Sequence, residues 1–210
     1  SVTAGGLPRF WRYSILEVPG DTEIFVGISP SSVPHTDTAI IEFQPSYTTG
    51  TKHTIASGDG NINSALCVVP TTGTLIQAWA STTLSPTVIK AARVPQTSGT
   101  YDFSSITPVT VKSGMTSVEG GPCLVVLPDG RILITFTDTN VGMWWAYSSD
   151  DGISWSTPSF LAINPIRMHL LTVAGGVPVV GYSHITSATC KVRALDLITD
   201  TWGSAVTISS

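Results

Sequence analysis

The sequence predicts an all-β chain, a β-propeller of about four four-stranded antiparallel blades. Three observations carry that expectation: helical periodicity is absent, strand-like runs recur between turn signals, and one hairpin pattern returns four times. Nineteen glycines, 14 prolines and many β-branched residues interrupt every window before three helical turns can form. Runs of Val, Ile, Thr and aromatic residues bounded by such breakers suit a sandwich, barrel or propeller, and the repeat selects the propeller.

The repeated hairpin is an apolar strand, a tight turn and a second apolar strand, seen at 14–26, 65–79, 123–136 and, more loosely, 170–182. Anchored on Pro19, Pro70, Pro128 and Ala174, the copies follow at intervals of 51, 58 and 46 residues, the length of a four-stranded blade. A second strand pair completes each unit: 37–43 with 51–55, 87–94 with 108–111, 144–148 with 159–163, and 191–197 with 205–208. The units run over about 1–57, 58–115, 116–163 and 164–210 and form one domain over 1–210, either complete or part of a longer propeller. The inner hairpin is the more apolar in each unit, as expected for strands buried on both faces. Residues 1–10 offer a strand to the last blade that would remove an open edge.

Only 11% of the 210 residues are charged, against about 25% in an average soluble chain, and 25 Ser and 29 Thr take up the difference. Ten Lys and Arg against 14 Asp and Glu give a net charge of −4, so no basic patch exists to neutralise a nucleic-acid backbone or an anionic bilayer. No apolar run approaches the ~20 residues that a membrane-spanning helix needs. Opening at Ser1 without Met, the chain reads as a processed product or an excised piece. Cys67, Cys123 and Cys190 show no zinc-ligand spacing, and the first two sit in apolar runs as small buried hydrophobes. His35, His53, His169 and His184 have no metal-ligand spacing either, and no metal or cofactor is called for. The aromatic residues Trp11, Trp79, Trp144, Trp145 and Trp202 suit sugar stacking, although packing between blades is the plainer reading of the adjacent Trp144 and Trp145.

In the third unit, Ser148-Ser-Asp150-Asp-Gly152-Ile-Ser154-Trp155 matches the Asp box, S-x-D-x-G-x-[ST]-W, at every defined position. The motif is a stapled turn, in which a carboxylate accepts backbone N–H groups, Gly takes φ > 0 and Trp tucks between sheets. On this motif the chain resembles the sialidase (bacterial neuraminidase repeat) propellers. Asp196 to Trp202 keeps a degenerate copy, and the first two units lack one. In the family the box lies on the rim, away from the active site.

A second resemblance lies at Trp11-Arg12-Tyr13-Ser14-Ile15-Leu16, which is similar to the sialidase segment that opens the first blade but lacks its Ile-Pro pair. The resemblance implies Arg12 as one of three arginines gripping a sugar carboxylate, beside Trp11, with Asp37 of His35-Thr-Asp37 as the catalytic acid. Glu119 is the remaining carboxylate candidate. Arg167 and His184 stand where the family's Glu and second Arg belong, and Phe136-Thr-Asp138 also lacks the Arg, so the sialidase constellation is incomplete. The chain is therefore read as a non-catalytic sialidase-like propeller, a glycan-binding or structural module on an extracellular or virion surface such as a phage tail fibre or decoration. Its partners are then a glycan, with an acidic sugar among the candidates, or other virion or surface proteins, with homo-oligomerisation left open. The alternative is an exo-sialidase-type glycoside hydrolase represented by part of its blades.

Overall fold

The computed structural model describes residues 10–17, 24–30, 37–43, 50–58, 61–81, 86–116, 118, 121–138, 141–163, 166–184 and 189–209. They form four antiparallel sheets in chain order. The first contains β1 (Phe10–Glu17), β2 (Ile24–Pro30), β3 (Thr38–Phe43) and β4 (Gly50–Ala56). The second contains β5 (Asn61–Val68), β6 (Leu75–Ser81) and β7 (Thr87–Val94). A small separate hairpin of β8 (Gln96–Thr97) and β9 (Thr100–Tyr101) follows, before β10 (Val109–Met115) completes that second sheet. The third sheet is β11 (Cys123–Val126), β12 (Ile132–Asp138), β13 (Gly142–Ser148) and β14 (Ser159–Ile163). The fourth is β15 (Ile166–Ala174), β16 (Val177–His184) and β17 (Cys190–Asp196), whose outer edge pairs with both β18 (Thr201–Trp202) and β19 (Val206–Ser209).

Each sheet is an antiparallel meander, and the first strands carry the stacking between sheets. β5 lies against β1 and β2, β11 against β5, and β15 against β11 and β12. Among the described residues no contact of that extent joins the fourth sheet to the first. The all-β meander sheets expected from sequence are thus present, with the β8–β9 hairpin as an addition between β7 and β10.

Apolar runs explain where the core sits. β6 and β12 are buried along their whole length, as strands covered by sheets on both sides should be. Ile132, Leu133, Ile134 and Phe136 are fully buried, each contributing about 1.5–3 kcal/mol by leaving water. Successive residues face opposite ways, so Ile132, Ile134 and Phe136 join the cluster toward the second sheet while Leu133 joins the one toward the fourth. Trp144 and Trp145 divide in the same manner, and both pack between sheets. The expectation of two-sided burial fails for the fourth sheet. There Leu171, Val180 and Tyr182 are buried while Leu170 and Val177 are exposed, because among the described residues only one face of the sheet packs on a neighbouring sheet. Cys123 is a smaller correction: Cys67 is buried, but Cys123 is only partly so, its thiol reaching the carbonyl of His169 at 3.6 Å.

Candidate functional site

At one end of every sheet the first strand begins, the second strand finishes and the third strand starts. The registers fix this end: Phe10 pairs with Pro30, Asn61 with Ser81, Cys123 with Thr135, and Ile166 with His184. Contacts between sheets hold the second, third and fourth ends together. The backbone N–H and hydroxyl of Thr116, which follows β10, donate to the Asp138 carboxylate at 2.9 and 2.7 Å, where β12 finishes. Gly121, at φ +66°, brings its Cα so close to Asn63 on β5 that a Cβ there would sit 2.3 Å from the Asn63 Cβ. The His169 ring on β15 contacts the Thr135 carbonyl of β12 through Nε2 at 3.2 Å.

Three of the four first strands carry one extra residue near this end. The register slips between Phe10 and Tyr13 in β1, between Ile62 and Ser64 in β5, and between Ile166 and Met168 in β15. The backbone of Trp11 and Arg12 therefore lies in the first irregularity, that of Asn63 in the second and that of Arg167 in the third. Asn63 takes φ +56°, a left-handed conformation that Asn tolerates better than most residues. Such bulges re-aim a side chain and interrupt pairing, and they concentrate beside functional sites.

The interior of the same end is polar. Every buried polar or charged side chain among the described residues lies here except Thr74, Gln77 and Ser148. Thr38, Asn63, Ser81, Thr137, Asp138 and His169 bring hydroxyl, amide, carboxylate and imidazole groups from all four sheets. Removing such groups from water costs free energy unless they are bonded, so this concentration marks a place where the core is not built for packing alone.

The candidates from sequence fall as follows. The backbones of Trp11, Arg12, Arg167 and His184 are at this end; their side chains lie outside the described residues, as do His35 and Glu119 entirely. The flanks of Glu119 are described: Val118 is buried in the core of the second and third sheets, and Gly121 packs on Asn63. Asp37 precedes β3 at this end, but its carboxylate turns to Lys52 on the outer strand β4, at 3.4 Å. With 40% and 35% of the two side chains exposed, that ion pair adds at most about 1 kcal/mol. Asn63, Thr116 and Asp138 escaped the sequence reading as site residues. Asp138 was visible there only as the place where an Arg was wanting, and nothing local distinguishes Asn63 from a strand residue.

Residues 148–155, matched from sequence to an Asp box, lie at the opposite end, in the turn between β13 and β14, where short hydrogen bonds staple the turn. Asp150 accepts the Ser154 N–H at 2.9 Å and its hydroxyl at 2.5 Å, while the Ser148 hydroxyl donates to Asp150 at 2.8 Å and receives the Gly152 N–H at 2.8 Å. Burial raises the Asp150 pKa, but the Ser154 and Ser148 bonds outweigh it and hold the carboxyl below its usual range. Trp155 packs against the core shared with the second sheet. In the fourth sheet, Asp196 accepts the Ile198 N–H at 2.8 Å, and Trp202 meets Trp145 of the third sheet edge-on at 6.1 Å. Both tryptophans thus pack on the preceding sheet, and neither turn approaches the polar end.

Among the described residues no group of three or more His, Cys, Asp or Glu side chains is placed to hold a metal ion. No protein-family model and no curated sequence matches the chain. The fold is shared with solved structures of low identity. A Dyadobacter fermentans protein of unknown function is 13% identical over 93% of this chain and 68% of its own, with a TM-score of 0.65. The exo-β-1,3-galactanase of Phanerochaete chrysosporium is 10% identical over 98% of this chain and 51% of its own, at 0.62. The Trypanosoma rangeli sialidase is 14% identical over 95% of this chain and 37% of its own, at 0.59. The chain thus has the all-β, propeller-type fold of these glycosidases and spans about half or less of the length of the two enzymes.

Proposed function

We propose that this chain is a glycan-binding module of the sialidase-like, Asp-box propeller type, a single domain over 1–210 that binds an acidic sugar at its polar end. The observation that carries the proposal is the set of equivalent register slips holding Arg12, Asn63 and Arg167. Two arginines at matching backbone positions of the first and fourth sheets would bring the planar fork that suits a sugar carboxylate, and Asn63 occupies the equivalent slip of the second sheet, buried under Gly121. Sugars otherwise need hydroxyl and amide partners rather than net charge, which agrees with a hydroxyl-rich, weakly charged chain.

The module is proposed to work without catalysis on a virion or extracellular surface. The described carboxylates nearest the polar end are engaged, Asp37 with Lys52 and Asp138 with Thr116, rather than facing one another as a hydrolytic pair. A second reading, a glycoside hydrolase of which this chain supplies part, is favoured by the galactanase and sialidase among the structures of similar fold. Screening the purified chain on a glycan array while assaying a fluorogenic sialoside separates them. Retention of carboxylated glycans without turnover supports the module, turnover supports the hydrolase, and neither binding nor turnover removes both.

A further inference from the structure

Alternate side chains of β6 face different neighbours. Ile76, Ala78 and Ala80 join the core toward the third sheet, while Leu75 and Trp79 join the one toward the first. Gln77 lies between Leu75 and Trp79 on that second face, and its Nε2 donates to the Ala39 carbonyl of β3 at 3.2 Å. The equivalent strand of the third sheet follows the same plan with different residues. Ile134 and Phe136 stand third and fifth in β12, where Gln77 and Trp79 stand in β6, and both are packed in the apolar core toward the second sheet. The layer between the first and second sheets therefore carries polar atoms at positions that the next layer fills with hydrocarbon.

Four polar atoms of this layer have no hydrogen-bond partner among the described residues: Thr38 Oγ1, Ser64 Oγ, Gln77 Oε1 and Trp79 Nε1. Thr38, Gln77 and Trp79 are 0% exposed and Ser64 7%, so bulk solvent does not reach them. Alternation puts Thr38 on the Ile40 face of β3, next to the Ala39 carbonyl that Gln77 holds, and puts Ser64 on the Leu66 face of β5, in register with Trp79. Ala92, in register with Gln77, brings only a methyl group to the layer. An amide oxygen can only accept and an indole N–H can only donate, so a group that serves both must donate and accept. Between two packed sheets it must also be small. We propose that ordered water is bound between the first and second sheets, donating to Gln77 Oε1, accepting from Trp79 Nε1 and completing the Thr38 and Ser64 hydroxyls. Buried water of this kind, with two to four polar partners, is a regular part of protein interiors, at about one per 27 residues. It offsets the cost of leaving four buried polar atoms unbonded, and it fastens β3 to β6 beside the direct Gln77 bond.

A high-resolution crystal structure of the protein, with urea unfolding of Thr38→Val and Ser64→Ala, tests the proposal. The expected result is water density about 2.7–3.2 Å from Gln77 Oε1 and within the same reach of Trp79 Nε1 or a hydroxyl. Thr38→Val keeps the side chain's shape and removes only its hydroxyl. If that hydroxyl holds water, the folding equilibrium constant falls by about fivefold or more, Ser64→Ala lowers it in the same direction, and Thr38→Ser retains the water. A dry, unbonded hydroxyl has the opposite signature, because deleting it is neutral or stabilising. No density at Gln77 Oε1 overturns the proposal. So do Thr38→Val and Ser64→Ala proteins that are as stable as the parent or more so.

Discussion

Arg131, beside the β11–β12 turn, reaches across to Asp200 in the β17–β18 turn: Nη1 donates to Oδ2 at 3.0 Å and Nη2 lies 2.8 Å from Oδ1. The same guanidinium holds Asp129 at 2.7 Å and rests over the Tyr147 ring at 4.9 Å, so one cation fastens the third sheet to the fourth. Its bonds to Asp200 and Asp129 push its pKa above the usual arginine value, and its charge is constant over any working pH.

Replacing Arg131 by Met keeps part of the stem's packing and deletes the fork. With charge-assisted bonds worth about 1.5–3 kcal/mol and the partners half-exposed, the expected loss is about 1–2 kcal/mol, read as a lowered urea midpoint at unchanged m-value. Arg131→Lys recovers only part of it, since an ammonium cannot span Asp129 and Asp200 with a planar fork.

Gly152 and Gly130 separate backbone strain from collision. Both have positive φ, +80° and +88°, so Ala costs about 1 kcal/mol at either. Only at Gly152 does the new Cβ meet a neighbour, the Ile76 Cδ1 of the second sheet at 2.8 Å; nothing lies within 4 Å at Gly130. Gly152→Ala is therefore expected to lower the melting temperature clearly more than Gly130→Ala, and equal shifts would contradict the close seating of the Asp-box turn on β6.

The Asp150 staple has a pH signature. Its folded pKa is depressed, so its stabilising contribution is present above the unfolded carboxyl value of about 3.9 and is lost as pH falls through the lower folded value. Asp150→Asn should melt lower than the parent at pH 7, by about 1 kcal/mol, with the gap narrowing toward pH 2. Thermal melts across that range check it.

Burial pushes the Cys67 thiol up to about 12. Below the ordinary thiol value it is neutral in both states and costs nothing; above that value the unfolded chain ionises first, and stability falls until the folded value is passed. In native protein at pH 8, a thiol reagent is expected to modify Cys123 and Cys190, which are partly exposed, and to reach Cys67 only on unfolding. Mass spectrometry after timed labelling reads the order.

Much of the architecture was legible because its signals are local. The hairpins around Pro70 and Pro128 carry their own turns, and the stapled turn is a closed set of short-range bonds from Ser148 to Ser154. What the sequence hid depends on partners distant along the chain. The slips that hold Arg12, Asn63 and Arg167 at equivalent places exist only in the register with the second strands, and the Thr116–Asp138 bond spans 22 residues. Leu170 and Leu171 look alike in the sequence; which of them is covered depends on where the neighbouring sheet lies. Arg12 and Arg167 entered the reading through the sialidase resemblance, Arg12 as a match and Arg167 as the residue standing where the family's Glu belongs, whereas Asp138 was passed over because that pattern asked for a different residue there.

A carboxylated glycan is proposed to bind at the polar end of the first strands. The most direct measurement is saturation-transfer NMR of the chain with carboxylated and neutral oligosaccharides, in the parent and in Arg12→Ala and Arg167→Ala. Transfer to the carboxylated sugar is expected in the parent and is lost in both variants at unchanged fold, with Ile153→Lys at the opposite end behaving like the parent. Transfer that survives both arginine substitutions, or none to any carboxylated sugar in the parent, would contradict it.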